Sequence, residues 1–160
     1  MPTITLDEAP RGGTICLSKA GLKIGNGTAA AVDTAAPNGA GIDYAINGIL
    51  YHLADGVDKA ITAAVVQPVL TKCLYLVCLD SAGTLSTVKG TAQLTADLDA
   101  GIAVLEWPVP VADTCPIGAI KVQTLTSGTF TAGTTALTPA ATLATTYYDL
   151  FAIPSAPLTS

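Results

Sequence analysis

Residues 70–90, Leu-Thr-Lys-Cys-Leu-Tyr-Leu-Val-Cys-Leu-Asp-Ser-Ala-Gly-Thr-Leu-Ser-Thr-Val-Lys-Gly, decide the fold of this 160-residue chain. Within them, residues 73–79 form a continuous apolar run whose length and Tyr and Val content are typical of a strand buried on both faces. The following Asp80-Ser81-Ala82-Gly83 is typical of a turn, because Asp accepts hydrogen bonds from nearby backbone N–H groups and Gly adopts positive φ without steric cost. Residues 84–89 are more polar. The stretch therefore predicts a β-hairpin with one core strand and one partly exposed strand.

A second hairpin is predicted around Asn47-Gly48, which lies between two segments of alternating apolar residues. Asn and Gly both tolerate the positive φ of a type I′ turn, so this dipeptide is the strongest short-range hairpin signal. One face of each strand is apolar. The residues expected on these two faces are Ile42, Tyr44 and Ile46 on the first strand, and Ile49, Tyr51 and Leu53 on the second.

Weaker patterns predict the remaining elements. Further strands are expected at residues 14–17, 22–24, 28–32, 102–107 and 117–124, with a turn at Gly25-Asn26-Gly27. Residues 59–67 are predicted as strand or loop, since Pro68 and several β-branched residues disfavour a helix. Residues 94–101 are predicted as a loop. Seven to nine short strands separated by turns indicate an all-β sandwich or barrel.

The chain length fits one domain, predicted at residues 13–138. Residues 1–12 are expected to be an extended N-terminal arm, and residues 139–160 a C-terminal tail. The tail carries Tyr147, Tyr148 and Phe151, three of the eight aromatic side chains. These rings either form a docking strip for a partner or pack back on their own domain.

Composition excludes several classes of function. Charged residues make up 12% of the chain, against about 25% in typical soluble proteins. A net charge of −5 and scattered basic residues argue against nucleic-acid binding, which requires clustered Lys and Arg. No apolar run approaches the roughly 20 residues of a membrane span, and the acidic N-terminus is unlike a secretory signal. Synthesis in a cytoplasm is therefore expected. Few Lys or Glu residues are present to protect sheet edges, so neighbouring subunits are expected to cover much of the surface.

No set of residues predicts catalysis, a cofactor or a metal site. Nucleophilic catalysis needs a base beside the nucleophile, and the single histidine, His52, lies next to Tyr51 on a predicted strand, so it is expected to be a structural or surface histidine. Asp97 and Asp99 share a strand face or loop and could hold a cation, but two carboxylates are little evidence for a site, because calcium needs six or more oxygen ligands. Trp107 is expected in the core rather than stacked on a ligand. The cysteines are expected to be buried thiols: Cys16, Cys73, Cys78 and Cys115.

Five stretches within residues 42–90 and 116–135 carry a family resemblance. They are Ile-Asp-Tyr-Ala-Ile-Asn-Gly, Leu-Tyr-Leu-Val-Cys-Leu-Asp-Ser-Ala-Gly-Thr, Val-Lys-Gly, Pro-Ile-Gly-Ala-Ile-Lys-Val and Gly-Thr-Phe-Thr-Ala-Gly-Thr. Together they resemble the capsid decoration (cement) and head-fibre proteins of tailed bacteriophages. The resemblance implies a jelly-roll-like β domain, often a homotrimer, that lies on the capsid exterior of the virion and bridges subunits of the major capsid protein.

The expected function is therefore structural, with no catalytic step. The interface with the capsid is expected to involve the two terminal segments, through Ile4, Leu6, Tyr147, Tyr148 and Phe151. Removing residues 146–160 is expected to weaken attachment and leave the β domain folded. The alternative is a tail-fibre or spike component that binds a host surface receptor or glycan, with Trp107 or the tyrosines stacking on sugar.

Overall fold

The computed structural model describes residues 13–27 and 30–158, and the predicted N-terminal arm with Ile4 and Leu6 lies outside these ranges. The described chain forms three antiparallel sheets, with strand orders β1-β4-β5, β2-β3-β6 and β11-β10-β7-β8, and β9 pairs with β7. The strands are β1 (Ile15–Cys16), β2 (Lys23–Ile24), β3 (Ala31–Thr34), β4 (Ile42–Ile46), β5 (Ile49–Leu53), β6 (Gly56–Ala60), β7 (Thr71–Leu79), β8 (Leu85–Lys89), β9 (Gln93–Leu94), β10 (Cys115–Thr124) and β11 (Leu143–Asp149). A single short helix, α1 (Thr95–Asp99), completes the described elements.

This architecture confirms the predicted all-β, sandwich-like class. The described ranges contain eleven strands, more than the seven to nine expected from sequence. The difference lies in very short elements, because β1, β2 and β9 are each only two residues long. Such strands bury too few alternating residues to produce a recognisable period in the sequence.

Strand β7 is the centre of the fold, as its apolar sequence predicts. All nine of its residues are buried. Cys73, Tyr75, Val77 and Leu79 belong to the main core, which also receives side chains from the other two sheets. The alternate residue Leu74 packs on the opposite face against Leu98 and Leu105. The sheet is therefore covered on both sides.

The turn between β7 and β8 is held by Asp80. Its Oδ1 accepts the backbone N–H groups of Ala82 and Thr84, each at 2.8 Å, and Gly83 has φ of 75°. The hydrogen bond from Thr84, followed by that from Ala82, holds the pKa of Asp80 below its usual range. The predicted hairpin is confirmed, including the half-exposed character of β8.

The hairpin of β4 and β5 packs near the Asp80 end of β7. Asn47 and Gly48 have φ of 51° and 82°, which confirms the predicted turn with positive φ at both central residues. The Tyr44 hydroxyl donates to the backbone oxygen of Asp80 at 2.8 Å, and its ring stacks on Tyr51 with centroids 5.6 Å apart. This contact fixes the first sheet against one end of the central hairpin.

The predicted C-terminal tail is partly a strand of the central sheet. Strand β11 pairs with β10 from Gly118↔Asp149 to Thr124↔Leu143. Strand β10 in turn pairs with β7, with a bulge between Pro116 and Gly118 that accommodates the missing proline N–H. The β domain therefore extends beyond the expected boundary at residue 138.

Two other predictions are wrong. Residues 94–101, expected as a loop, contain helix α1, which buries Leu98 against Leu74. Residues 102–107, expected as a strand, pair with another segment only where Leu105 meets Leu158. The physical reason is that the N–H groups of Ile102 and Ala103 bond back to the oxygen of Asp97, which closes the helix end instead of joining a sheet.

The structure confirms the prediction that residues 59–67 are strand or loop rather than helix. Strand β6 ends at Ala60, and the chain then crosses β8 through reciprocal contacts between Thr62 and Thr87, each backbone N–H donating to the other's hydroxyl at 3.0 Å. The edge of β8 is thereby partly covered. Gln67 pairs with Phe130, and its buried side chain donates to the oxygens of Thr71 and Val122.

We expect the free energy of unfolding to depend strongly on the two-sided burial of β7. Leu76→Ala, at a side chain with no exposed surface, should lower it by about 2–5 kcal/mol, because it leaves a cavity in the central sheet. Leu50→Ala removes the same atoms from a side chain that is 70% exposed, and should change it by about 0.5 kcal/mol or less. Chemical denaturation of both variants measures this, and equal losses would contradict the central position of β7.

Candidate binding surface

A cleft of about 510 Å³ lies between two irregular segments, residues 106–114 and residues 152–157. Thr14 and Asn47 also contribute to its lining, so the first sheet borders it. The volume lies within the range of about 300–1,000 Å³ that is usual for ligand sites. The cleft is therefore a candidate binding site on geometric grounds.

Hydrogen bonds fix the walls of the cleft relative to each other. The Trp107 indole Nε1 donates to the backbone oxygen of Ala156 at 2.9 Å, across the cleft. Next to it, Leu105 and Leu158 exchange two backbone hydrogen bonds of 3.3 and 3.0 Å. The Asn47 side-chain amide donates to Asp113 Oδ1 at 2.8 Å and joins the β4–β5 turn to the first wall. The opening is thus formed before any partner arrives.

The backbone N–H and C=O groups of both walls are not paired with other backbone groups of the described chain. Five of the ten prolines of the chain line the cleft: Pro108, Pro110, Pro116, Pro154 and Pro157. Because proline has no N–H, the segments that carry Pro108, Pro110, Pro154 and Pro157 cannot form a complete backbone ladder, although their carbonyl oxygens can still accept hydrogen bonds. In the part of the chain that the structure describes, residues 106–113 and 152–157 make no backbone–backbone hydrogen bond. Their peptide groups remain available to water or to a partner.

The charge of the cleft is negative. Glu106 and Asp113 contribute carboxylates, and none of the described residues that line the cleft is Lys or Arg. The two ion pairs found among the described residues, His52–Asp43 and Lys72–Asp99, lie outside the cleft lining. Asp113 accepts its hydrogen bond from the neutral Asn47 amide, which orients the carboxylate without cancelling its charge.

Apart from the cleft, two apolar surfaces are exposed. Surface 1 consists of Val65, Val66, Val69, Leu70 and Leu94, which are 38–81% exposed. It lies at the start of β7, where Thr95 N–H donates to the oxygen of Leu70 and Leu94 pairs with Thr71. Surface 2 consists of Ile15, Leu17, Leu50 and Phe151, which are 39–70% exposed. It lies on the first sheet, near the end of β7.

The structure separates the predicted aromatic strip into three environments. Tyr147 is half-buried and packs on the main core, where burial raises the pKa of its hydroxyl. Tyr148 pairs with Ala119 and points to the opposite face of the sheet. Phe151 is 49% exposed and belongs to surface 2. Packing on the chain's own domain thus accounts for Tyr147, and of the three rings only Phe151 lies on an exposed surface.

The remaining candidate residues have structural partners. His52 Nδ1 lies 2.8 Å from Asp43 Oδ1 on the exposed face of the first sheet. Asp99 pairs with Lys72 at 3.0 Å and lies on helix α1 with Asp97, and in residues 13–27 and 30–158 no three potential metal ligands come together. Trp107, expected in the core, is half-buried: it packs against the smaller core cluster of Leu74, Leu98 and Leu105 and also lines the cleft.

The four cysteines are unpaired and buried, as predicted. Burial raises the pKa of Cys73 and of Cys78 to about 11, and that of Cys115 to about 12. These thiols therefore stay protonated at neutral pH and act as small apolar side chains.

The prolines that follow Trp107 and those at positions 154 and 157 are the sequence signal for the cleft, because they mark two segments without regular pairing. That the two segments face each other depends on long-range contacts that spacing alone does not show.

Among residues 13–27 and 30–158, no helix has the length and apolar character of a membrane span. No protein-family model, curated protein or solved structure matches the chain.

We expect residues 150–158 to be required for a stable domain, contrary to the expectation that removing residues 146–160 leaves the β domain folded. Ending the chain at Asp149 removes hydrogen bonds from Leu150 to Ile117, from Cys16 to Phe151 and from Trp107 to Ala156. At about 1 kcal/mol each, this loss should lower the free energy of unfolding by about 3 kcal/mol or more.

The measurement is chemical denaturation followed by the fluorescence of Trp107, whose emission should also shift to longer wavelength. A chain that ends at Leu158 is the control and should match the full-length protein. If the chain ending at Asp149 kept the emission and stability of the control, the assignment of residues 150–158 to the domain would be wrong.

Proposed function

We propose that this protein is a viral structural protein, a capsid decoration protein that binds the major capsid lattice from outside and stabilises it. The observation that carries the proposal is the pair of apolar surfaces near opposite ends of β7. The mechanism is burial of these surfaces against neighbouring subunits, without a chemical step. The proposed location is the exterior of the virion.

Exposed aliphatic side chains support an assembled state. Fifteen large hydrophobic side chains are exposed in the described part of the chain, and only 12% of all residues are charged. Contiguous apolar surface exposed to water is unfavourable, and in soluble proteins it usually marks an interaction site. Surfaces 1 and 2 are therefore the proposed contacts with other protein.

The separation of the two surfaces supports a bridging role. Strand β7 has nine residues, which at about 3.3 Å per residue span roughly 30 Å. A protein with one contact near each end of this strand can hold two neighbours at once. Repetition over a lattice then multiplies modest individual affinities by raising the effective concentration of the second contact.

The resemblance of residues 42–90 and 116–135 to decoration and head-fibre proteins supports the same partners. We propose the major capsid protein as one partner and two further copies of the chain as the other, in a homotrimer. In this arrangement one surface contacts the capsid and the other contacts the neighbouring copy. The proposal requires no nucleic acid, membrane or cofactor.

A second candidate function is favoured by the position of Trp107. Its half-buried ring lines the cleft, and aromatic rings at such positions can stack on sugars. A tail-fibre or spike component that binds a host glycan would use this cleft. Its Nε1–H already donates to Ala156, so the indole N–H is not available to a ligand.

We expect antibodies against this chain, coupled to gold, to label the heads of purified virus particles over their whole surface. Label at the tail tip would favour the host-recognition function, and unlabelled particles would contradict both candidates.

The isolated protein should have a mass of about 48 kDa in light scattering, three times the chain mass of 16.0 kDa.

The contribution of each surface can be separated by charge substitutions. Val65→Glu with Leu94→Glu places two carboxylates on surface 1, and Leu50→Glu places one on surface 2. Burying an unpaired charge in an interface is costly. We therefore expect at least one of these variants to bind at least tenfold more weakly to particles that lack the protein. Thr138→Glu, at an exposed polar position, is the matched control. Co-sedimentation measures binding, and control-like binding by both variants would overturn the proposed contacts.

A further inference from the structure

We propose that the cleft between residues 106–114 and 152–157 is a docking site for an extended, basic peptide segment of a partner protein. This inference concerns a surface different from surfaces 1 and 2, and it stands whether or not the chain is a virion component. It rests on three features of the cleft: open backbone groups, uncompensated negative charge and walls that are already fixed.

The unpaired backbone groups along both walls favour an extended peptide over a compact ligand. Residues 106–113 and 152–157 run along the two sides of the cleft and, within the described chain, make no backbone–backbone hydrogen bond. Of the oxygens in these two segments, those of Val111 and Ala156 accept side-chain hydrogen bonds from described residues, namely Thr114 and Trp107. A peptide laid between the segments can supply N–H groups to their oxygens, as in recognition by strand addition. The five prolines make the lining poor in donors and rich in acceptors.

The charge of the cleft specifies a basic partner. Glu106 and Asp113 both line it, and neither has a cationic partner among the described residues. An arginine or lysine of the peptide would pair with these carboxylates, and charge-assisted hydrogen bonds of this kind are stronger than neutral ones. An acidic segment would be repelled by the same groups and by the net charge of −5.

Apolar side chains next to the carboxylates favour a peptide in which aliphatic residues flank the basic one. Val109 is 82% exposed and Val111 is 57% exposed, and both belong to the lining. A segment in which aliphatic residues alternate with basic ones would cover these valines while its charged side chains reach Glu106 and Asp113.

The fixed walls lower the cost of binding. Asp113 has φ of 57°, a left-handed conformation that Asp tolerates, and its carboxylate is oriented by Asn47. The Trp107–Ala156 hydrogen bond and the Leu105–Leu158 pair hold the two sides together. Because the site is formed in advance, the partner alone loses conformational freedom on binding.

The test uses the full-length ¹⁵N-labelled protein and two capped heptapeptides, Thr-Val-Arg-Val-Arg-Val-Thr and the same peptide with Glu in place of each Arg. Trp107 is the only tryptophan, so its indole N–H gives a single, assigned reporter signal inside the cleft. We expect the Arg peptide to shift this signal and the Asn47 side-chain amide in a saturable way. The Glu peptide should bind at least tenfold more weakly, and the Arg peptide should weaken severalfold when NaCl rises from about 50 to 500 mM.

The variant Glu106→Gln with Asp113→Asn removes both charges and keeps the shape, since Asn also accepts positive φ. We expect it to bind the Arg peptide about five- to tenfold more weakly than Asp43→Asn with Asp97→Asn, which removes two charges outside the cleft. Equal binding of the two peptides, equal binding by the two variants, or no shift with either peptide would overturn the proposal. A shift of the Trp107 signal by a chitin or maltose oligosaccharide but not by the Arg peptide would also overturn it, in favour of a carbohydrate site.

Discussion

The burial of β7 on both faces is the constraint on which the rest of the structure depends. A sheet with one apolar face needs one covering layer, but nine consecutive buried residues require two. The first layer is supplied by the two smaller sheets, which pack on the side of Tyr75 and Val77. The second is supplied by helix α1 and the segments near Leu105 and Leu158, which have little regular structure. The cleft exists because this second layer consists of irregular segments.

The parts of the fold that depend on local chemistry could be predicted from the sequence. The apolar run of β7, the Asp80 turn and the Asn47-Gly48 turn are each determined by a few adjacent residues. Segments whose structure depends on distant partners could not be predicted. Residues 102–107 have the composition of a strand. The prolines that follow them disfavour sheet pairing, and the N–H groups of Ile102 and Ala103 donate to Asp97 at the end of helix α1.

The candidate sites follow the same division. The low charge and abundant apolar residues predict a surface covered by neighbouring subunits, but composition does not show which exposed side chains lie together. Tyr147 and Tyr148 looked equivalent in the sequence, and alternation along β11 sends one to the core and the other to the opposite face. The cleft could not be predicted, because its two sides lie about 40 residues apart in the chain. The Leu105–Leu158 pair and the Trp107–Ala156 hydrogen bond bring them together.

The position of β11 and the final segment also bears on how the chain folds during synthesis. Strand β10 has its outer edge unpaired until β11 follows it, and the edge of β1 waits for Phe151. The contact between Cys16 and Phe151 therefore joins segments that are far apart in the sequence. Contacts of high sequence separation slow folding and leave unpaired strand edges exposed in partly folded chains. While β11 is not yet paired, the exposed edge of β10 can accept the β11 of another copy, so exchange of β11 between copies competes with folding of the single chain.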